Sequence, residues 1–564
     1  MRLYNIDRYD IDAPLICPVC GCTNVVNKLV TYSSENLNRD YMSCNSCGLV
    51  FSYPFTAPDY ANSDSVNSDI AGHYNFTCYA DIGAGIESMI RPLVAIMTSH
   101  FTDLDSFLDV GCGFGYCVKF ANSLMGLRSI GYEPGEYGRI GSKVMNIDIV
   151  NKYFEADSSN NKYSVVFSSE VIEHVTNPYE YINTLVSVLA NEGIAILTTP
   201  NNNYLHHCLE RGEDTNIKTL SLLGPGQHLC LFNKKSIAFL LEKSGIANYK
   251  IFEEEENLIV YFSHGRNLET VNLCKEDIET RKHYLNFLNL LLNISVTEAE
   301  SNTLSIFSKF YSLLNRLHTK FISSIESDSK KLLTRFQLGI AYRLMREFVN
   351  DGNFDKAGKI QQIYEKLYKR CFRRTVYDVL NSISTLDIEE CKTPLSTLEL
   401  FSRKHLSFNV LGFLFYKMNL ALNSRWNTQT NIQELVFNVK KATDILSSLF
   451  LVLSDNPLAL TWFGECFRLY PRFCFGLAVL YMHTDRYQDA QNLLDKLLVI
   501  QDYFAIDSRL KPDCLLQKAV IFLRKKDFTK FFACTNELKK NYPEFSNSSE
   551  LLSTLLNEVK YMQS

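Results

Sequence analysis

Residues 106–116 read Ser-Phe-Leu-Asp-Val-Gly-Cys-Gly-Phe-Gly-Tyr, an apolar run that ends in an acid and opens directly onto three alternating glycines. Glycine lacks a Cβ and takes positive φ at little cost. Such a run therefore lets the chain turn sharply out of a strand and bring bare backbone up to a ligand. The spacing is G-x-G-x-G over Gly111, Gly113 and Gly115, and Tyr116 stands where a dinucleotide fingerprint has its last glycine. No Gly-Lys-Ser/Thr follows, which excludes a P-loop. The next apolar run ends in Gly131-Tyr132-Glu133-Pro134, placing a carboxylate where it can accept both hydroxyl protons of a ribose.

The surrounding pattern is that of a parallel α/β sheet. Strand-like runs at 106–110, 128–133, 164–168, 193–199, 249–252 and 258–262 alternate with amphipathic helices, one showing an apolar face of Ile182, Leu185, Val186 and Leu189. A chain of 564 residues is too long for one core. The segments expected are a cysteine-bearing module over 1–56, a polar linker over 57–81, the α/β domain over 82–266, and helical regions over 267–390 and 391–564. The tail holds a faint repeat: 478–498 aligns with 519–539 at a spacing of 41, and 352–357 echoes the same turn. These hairpins resemble tetratricopeptide repeats with a longer period, and an unrelated helical bundle is the alternative.

Cys17-Pro-Val-Cys20-Gly and Cys44-Asn-Ser-Cys47-Gly form two matched C-x-x-C-G knuckles. Zinc takes four soft ligands in a tetrahedron, and each knuckle offers two sulfurs from a tight turn. The expectation is a zinc ribbon with a closed, structural ion. Cys22 is a weaker substitute for Cys20, and a redox dithiol is the competing reading.

In order and spacing, Asp109–Gly115, Glu133, Ser168-Ser169-Glu170-Val171-Ile172-Glu173-His174-Val175, Thr198-Thr199-Pro200-Asn201 and Gln227-His228-Leu229 resemble class I S-adenosylmethionine (AdoMet) dependent methyltransferases. The resemblance spans about residues 15–265. It implies a Rossmann-like domain with a seven-stranded sheet whose last strand is antiparallel. It also implies AdoMet held by Asp109, Gly111, Gly113, Gly115, Glu133, Ser168 and Ser169. A cysteine ribbon ahead of this domain resembles enzymes that methylate sugars, nucleotide-linked sugars or polysaccharide ends.

Glu170, Glu173 and His174 stand at the carboxyl end of the 164–168 strand, where an α/β sheet places its chemistry, and His228 lies at a family histidine position. Three readings of the cluster are open. His174, oriented by Glu173, could be a general base on the acceptor. Glu170, Glu173, His174 and His228 could hold Mg²⁺ or Mn²⁺, as the resemblance to small-RNA 2′-O-methyltransferases and ubiquinone-type O-methyltransferases implies. The cluster could also cap a helix and contact AdoMet. Some C-methylating sugar enzymes carry a tyrosine where this chain has Val171, which argues against that variant.

A net charge of -5 with no basic stretch argues against a nucleic-acid partner. No window of 18 apolar residues exists, the first residues lack a signal-peptide core, and seventeen cysteines with four in metal spacing suit the cytoplasm. The expected function is O-methylation of a carbohydrate. The alternatives are O-methylation of a small molecule or quinone-type lipid, and a helical scaffold for a protein partner with an idle methyltransferase domain.

Overall fold

The computed structural model describes residues 2–4, 15–23, 26–33, 38–55, 85–99, 101–156, 162–210, 219, 222–273, 278–294, 333–334, 336–348, 351, 353–372, 464–504 and 510–563, with scattered positions between 433 and 443. The expected 57–81 linker lies outside the described residues, as does most of 391–463. The chain divides into two compact units: residues 1–215, 219–348 and 355–375 form the first, and 216–218, 349–354 and 376–564 the second.

In the first unit the strands run β1 (Arg2–Tyr4), β2 (Val26–Ser33), β3 (Asn38–Cys44), β4 (Val50–Tyr53), β5 (Ser106–Val110), β6 (Arg128–Tyr132), β7 (Ile149–Val150), β8 (Tyr163–Ser169), β9 (Leu189–Pro200), β10 (Cys230–Leu231), β11 (Asn248–Glu253) and β12 (Asn257–Ser263). Seven of them make one sheet in the order β11-β12-β9-β8-β5-β6-β7. β5 to β9 pair in parallel, while β12 runs antiparallel to β9 and β11 antiparallel to β12. This is the mixed sheet with a reversed last strand expected of a Rossmann-like methyltransferase core. β5 is buried at every position, as a central parallel strand covered by helices on both faces must be. Leu189 opens β9 instead of closing the helical face before it, and Val188 takes the buried place there.

The helices of this unit are α1 (Ile86–Thr98), α2 (Tyr116–Leu124), α3 (Glu136–Met145), α4 (Pro178–Val188), α5 (Asn202–Glu210), α6 (Lys234–Lys243), α7 (Ile278–Leu292) and, beyond a helical segment at 336–348, α8 (Phe354–Phe372). The residues after 267 do not stand apart from the sheet. Phe287 of α7 packs edge-on against Phe120 of α2, with ring centroids 5.3 Å apart. Phe336 stacks on Phe114 at 5.8 Å and on Tyr116 at 6.3 Å, covering the helix that leaves the glycine loop. Arg281 fixes α7 to 336–348 through Glu347 at 2.8 Å.

The N-terminal module is a second sheet, β1-β2-β3-β4-β10, and its last strand is borrowed from the α/β domain. Cys230 pairs with Phe51 and Leu231 with Val50. Cys17, Val19, Met42, Cys44, Cys47, Leu49 and Phe51 share one buried cluster with Leu108, Val110, Ile172, Phe232 and Leu240. At roughly 1.5–3 kcal/mol for each large apolar side chain buried, this shared core is a major part of the module's stability.

The second unit is helical: α9 (Gly464–His483), α10 (Tyr487–Phe504), α11 (Leu510–Arg524), α12 (Phe528–Asn541), α13 (Pro543–Ser548) and α14 (Glu550–Gln563). Two helix-ending turns of this unit adopt the same backbone conformation. Asp485 and Lys526 both take φ of 58°. Arg486 N–H donates to Tyr481 O at 2.8 Å, as Asp527 N–H does to Phe522 O. Each pair of positions is 41 residues apart, so the two helix ends share one turn geometry at the spacing seen in the sequence.

Candidate active site

The glycine loop leaves β5 with Gly111, Gly113 and Gly115 at φ of 76°, 56° and 91°, a region that residues with a Cβ seldom adopt. Gly111 and Cys112 donate to Tyr132 O at 2.9 and 3.0 Å, tying the loop to the end of β6. Glu133 follows at that end. Its Oε2 accepts from Gly113 N–H at 3.0 Å and its Oε1 from Gly135 N–H at 2.7 Å, so the carboxylate lies across the loop. Burial raises its pKa, and those two amides act against the rise. Asp109 is 2% exposed, and burial, then the charge of Glu133, pushes its carboxyl well above the ordinary range. Ser168 Oγ bonds Tyr181 OH at 2.6 Å, and Ser169 Oγ bonds Thr198 Oγ1 at 2.7 Å. The bare loop, the buried acid and the paired hydroxyls lie at the carboxyl ends of β5, β6 and β8. That donor set fits a nucleoside-bearing cofactor such as AdoMet.

The acid–histidine segment leaves β8 at Glu170, which takes φ of 56°, and closes into a single 3-10 turn over Ile172–His174. The turn brings Glu173 and His174 back toward the sheet, and Leu229 N–H donates to Glu173 O at 2.7 Å, drawing His228 alongside. The two imidazoles meet edge to face with centroids 4.8 Å apart. His174 Nδ1 faces Gln227 O at 3.1 Å and His228 Nδ1 faces Leu222 O at 2.7 Å. Carbonyls only accept, so each Nδ1 carries the proton and each Nε2 is the lone-pair nitrogen.

Ligand atoms of Glu173, His174 and His228 all lie within 4.8 Å of one another. Glu173 is fully buried; Thr199 Oγ1 donates to its Oε2 at 3.0 Å, while its Oε1, 3.8 Å from His174 Nε2, has no hydrogen-bond partner. Glu170 lies against this group: its carboxyl shares a hydrogen bond with that of Glu173 and accepts from Thr198 Oγ1 at 3.1 Å. Burial lifts Glu170 to about 7, and burial plus the charge of Glu170 lifts Glu173 well above its ordinary value. Burial, reinforced by His228, drives His174 down to about 3, and burial lowers His228 as well.

The four knuckle sulfurs also converge. Cys17 and Cys47 Sγ are 3.6 Å apart, as are Cys20 and Cys44 Sγ, and all four lie within 4.8 Å. A tetrahedron with Zn–S bonds of about 2.3 Å has edges of about 3.8 Å, so the group is the right size for zinc. Cys22 is outside the group and contributes its carbonyl, which accepts from Cys17 N–H at 3.0 Å. The hydrogen bond from Cys47 holds Cys17 toward the thiolate, at about 5, while burial pushes Cys20 up to about 12.

Residues 85–251 match the family model described as a methyltransferase domain. The chain carries a methyltransferase domain. It is 30% identical over 135 residues to a ubiquinone biosynthesis O-methyltransferase of Rickettsia canadensis (strain McKiel), covering 21% of this chain and 55% of the relative. It is 29% identical over 104 residues to the protein of that name from Rhodopseudomonas palustris (strain BisA53), covering 17% and 40%. The chain thus spans about half the length or less of these curated relatives. Among solved structures, the magnesium protoporphyrin IX methyltransferase of Synechocystis PCC 6803 aligns at 18% identity and a TM-score of 0.25, over 33% of this chain and 86% of that one.

Within the methyltransferase domain, sequence reasoning named the loop and the acid–histidine pair but not the residues that hold them. Thr199 fixes Glu173, and the carbonyls of Leu222 and Gln227 set both imidazole tautomers. A carbonyl leaves no mark on residue type, so those two were invisible. Asn233 did carry a signal: it precedes an amphipathic helix with Ser236 three residues on, and the two form a reciprocal cap on α6.

Proposed function

We propose that this chain is an AdoMet-dependent O-methyltransferase acting on a small organic acceptor, with Glu173, His174 and His228 holding a divalent cation at the acceptor hydroxyl. The carrying observation is the fully buried Glu173, whose Oε1 stands 3.8 Å from His174 Nε2, with ligand atoms of Glu173, His174 and His228 all within 4.8 Å of one another. One carboxylate with two neutral imidazoles suits a divalent ion, and a bound cation would displace the proton that burial holds on Glu173. AdoMet supplies an electrophilic methyl group, and a bound cation lowers the pKa of a hydroxyl attached to it. The base reading is weaker, because a base works best with a pKa near the working pH and burial has driven His174 to about 3. Asp109, Gly111, Gly113, Gly115, Glu133, Ser168 and Ser169 hold the cofactor, and Glu170 orients Glu173. Cys17, Cys20, Cys44 and Cys47 hold a structural zinc.

The names of the relatives favour an acceptor of the ubiquinone-biosynthesis type. The carbohydrate acceptor rests on the likeness of the cysteine ribbon to sugar enzymes, and forms the second arm of the test. The repeated hairpins of the second unit are the part offered to a protein partner.

The deciding experiment follows labelled methyl from AdoMet to a panel of alkyl catechols, hydroxyquinols, nucleotide sugars and glycan oligomers, read by mass spectrometry. A mild chelator that spares the four-cysteine site should abolish transfer, and Mg²⁺ or Mn²⁺ should restore it. His174→Ala and His228→Ala should each cost about two orders of magnitude or more. Full activity in chelated enzyme and in His174→Ala would overturn the cation reading.

A further inference from the structure

Gly48 closes the second cysteine knuckle at φ of 76°. Its N–H donates to Cys44 O at 2.7 Å, and Cys44 N–H donates to Leu49 O at 2.8 Å, so its own carbonyl is aimed by the turn that carries the thiols. Two side-chain amides converge on that one oxygen: Asn202 Nδ2 at 2.8 Å and Asn233 Nδ2 at 3.0 Å. The approach is close enough that a Cβ on Gly48 would stand 2.2 Å from Asn233 Nδ2.

Both asparagines belong to the methyltransferase domain: Asn202 grips the segment that follows His228, and Asn233 ends it. Asn202 Nδ2 also donates to Leu231 O at 2.8 Å, and its backbone N–H donates to Phe232 O at 2.8 Å. On the other side, Ser52 N–H of β4 donates to Leu229 O at 2.9 Å, and Leu229 N–H donates to Glu173 O at 2.7 Å. A continuous hydrogen-bonded path therefore runs from the cysteine knuckle through 229–233 to the backbone of Glu173, with His228 at its edge. Cys230, at the middle of that path, is fully buried.

We propose that Asn202 and Asn233 are positioning residues that couple the four-cysteine cluster to the acceptor side of the methyltransferase site. The Gly48 carbonyl, fixed by the filled knuckle, sets the place of 228–232, and with it the spacing between His228 and Glu173. The N-terminal module is then a working wall of the active site. The inference rests on reading the Glu173–His174–His228 cluster as that site.

The test uses the full chain and Asn233→Asp. Aspartate keeps the Oδ1 that accepts from Ser236 N–H at 2.9 Å, and caps a helix as well as asparagine does. It loses only the donor to Gly48 and sets an oxygen against that carbonyl. Hydrogen exchange read by mass spectrometry should rise about tenfold in 228–232 for the lost bond, with zinc content retained and the 106–110 strand unchanged. Protein stripped of its cysteine-bound metal should show the same rise in the same segment. Mn²⁺ affinity, titrated on the holoprotein, should fall about tenfold to a hundredfold. Unchanged exchange in 228–232, in the variant or the stripped protein, would overturn the coupling, as would an equal rise in 106–110. Wild-type protein that binds no Mn²⁺ would instead sink the cation reading, and the exchange pattern would still decide the coupling.

Discussion

Val171 Cγ2 lies 2.4 Å from the point where a Cβ on Gly111 would stand. The cofactor loop and the turn into the acid–histidine cluster are thus in register through one methyl group and one bare backbone position. Gly111→Ala should strain the loop at φ of 76° and displace Val171, costing about 1–3 kcal/mol in stability and about tenfold or more in AdoMet affinity. Adding Val171→Ala should relieve the collision but not the backbone strain, and so restore part of the loss. Calorimetric titration with AdoMet and thermal melting of the two variants check this. Wild-type affinity in Gly111→Ala would show that the loop tolerates a side chain.

Glu170 gives a pH dependence whose sign can be worked out. Its carboxyl titrates near 7 in the folded chain because it is buried, against an ordinary value of 4.5. Between those values the unfolded chain gives up a proton that the folded chain keeps, so stability falls as pH rises through that window and levels off above it. Glu170→Gln keeps the acceptor for Thr198 and cannot ionise. In protein without added divalent ions it should gain on the wild type as pH climbs from 4.5 to 8, by about 3 kcal/mol. His174 contributes the opposite slope below its ordinary 6.5 in both proteins, and removing the Glu170 charge, which helps to raise Glu173, adds to the variant's gain in the same direction. Urea unfolding at a series of pH values is the measurement, and a flat difference would place Glu170 in a wetter setting.

Much of this was readable from the chain alone, for identifiable reasons. β5 coincides with its expected span, because five buried residues followed by alternating glycines admit few alternatives. Glu133 was placed for the same reason. By contrast, β7 and β10 are two residues each, too short to show an alternating pattern, and β10 exists only because β4 offers it an edge. The approach of His228 to His174 was suggested by residue type. What fixes it is Gly224, whose φ of 44° brings the chain so close that a Cβ there would meet the His228 ring at 2.5 Å. Glu170 touches the cluster through Glu173, and its left-handed backbone also brings its carboxyl to Thr198, a contact that residue type does not reveal.

Elemental analysis of the purified chain should find about one tightly held zinc. Cys44→Ser should release it and also lower the melting temperature of the whole first unit, because Cys44 and Cys47 sit in the core shared with Leu108 and Val110. Near-zero zinc that does not change in Cys44→Ser would leave the cysteines as buried apolar side chains.

A fragment ending at residue 270 should fold poorly. It would uncover Phe114 and Tyr116, which are 1% exposed beneath Phe336, and Phe120 beneath Phe287. A fragment ending at 375 should be soluble and bind AdoMet like the full chain. Light scattering and calorimetry compare the two, and a monodisperse 1–270 fragment with full affinity would show that the aromatic cover is dispensable.

The pairing of Phe51 with Cys230 joins positions 179 apart in the chain, 230 − 51. On a ribosome adding about 5–20 residues per second, the N-terminal module emerges roughly ten to forty seconds before its fifth strand exists. During that interval β4 is an open edge, able to pair with any extended segment nearby. Early capture of a metal ion by the two knuckles would pin β3 and the turn before β4 while the rest of the sheet is still being made. On the reading that this ion is zinc, a shortage of it would bear first on chains still being made.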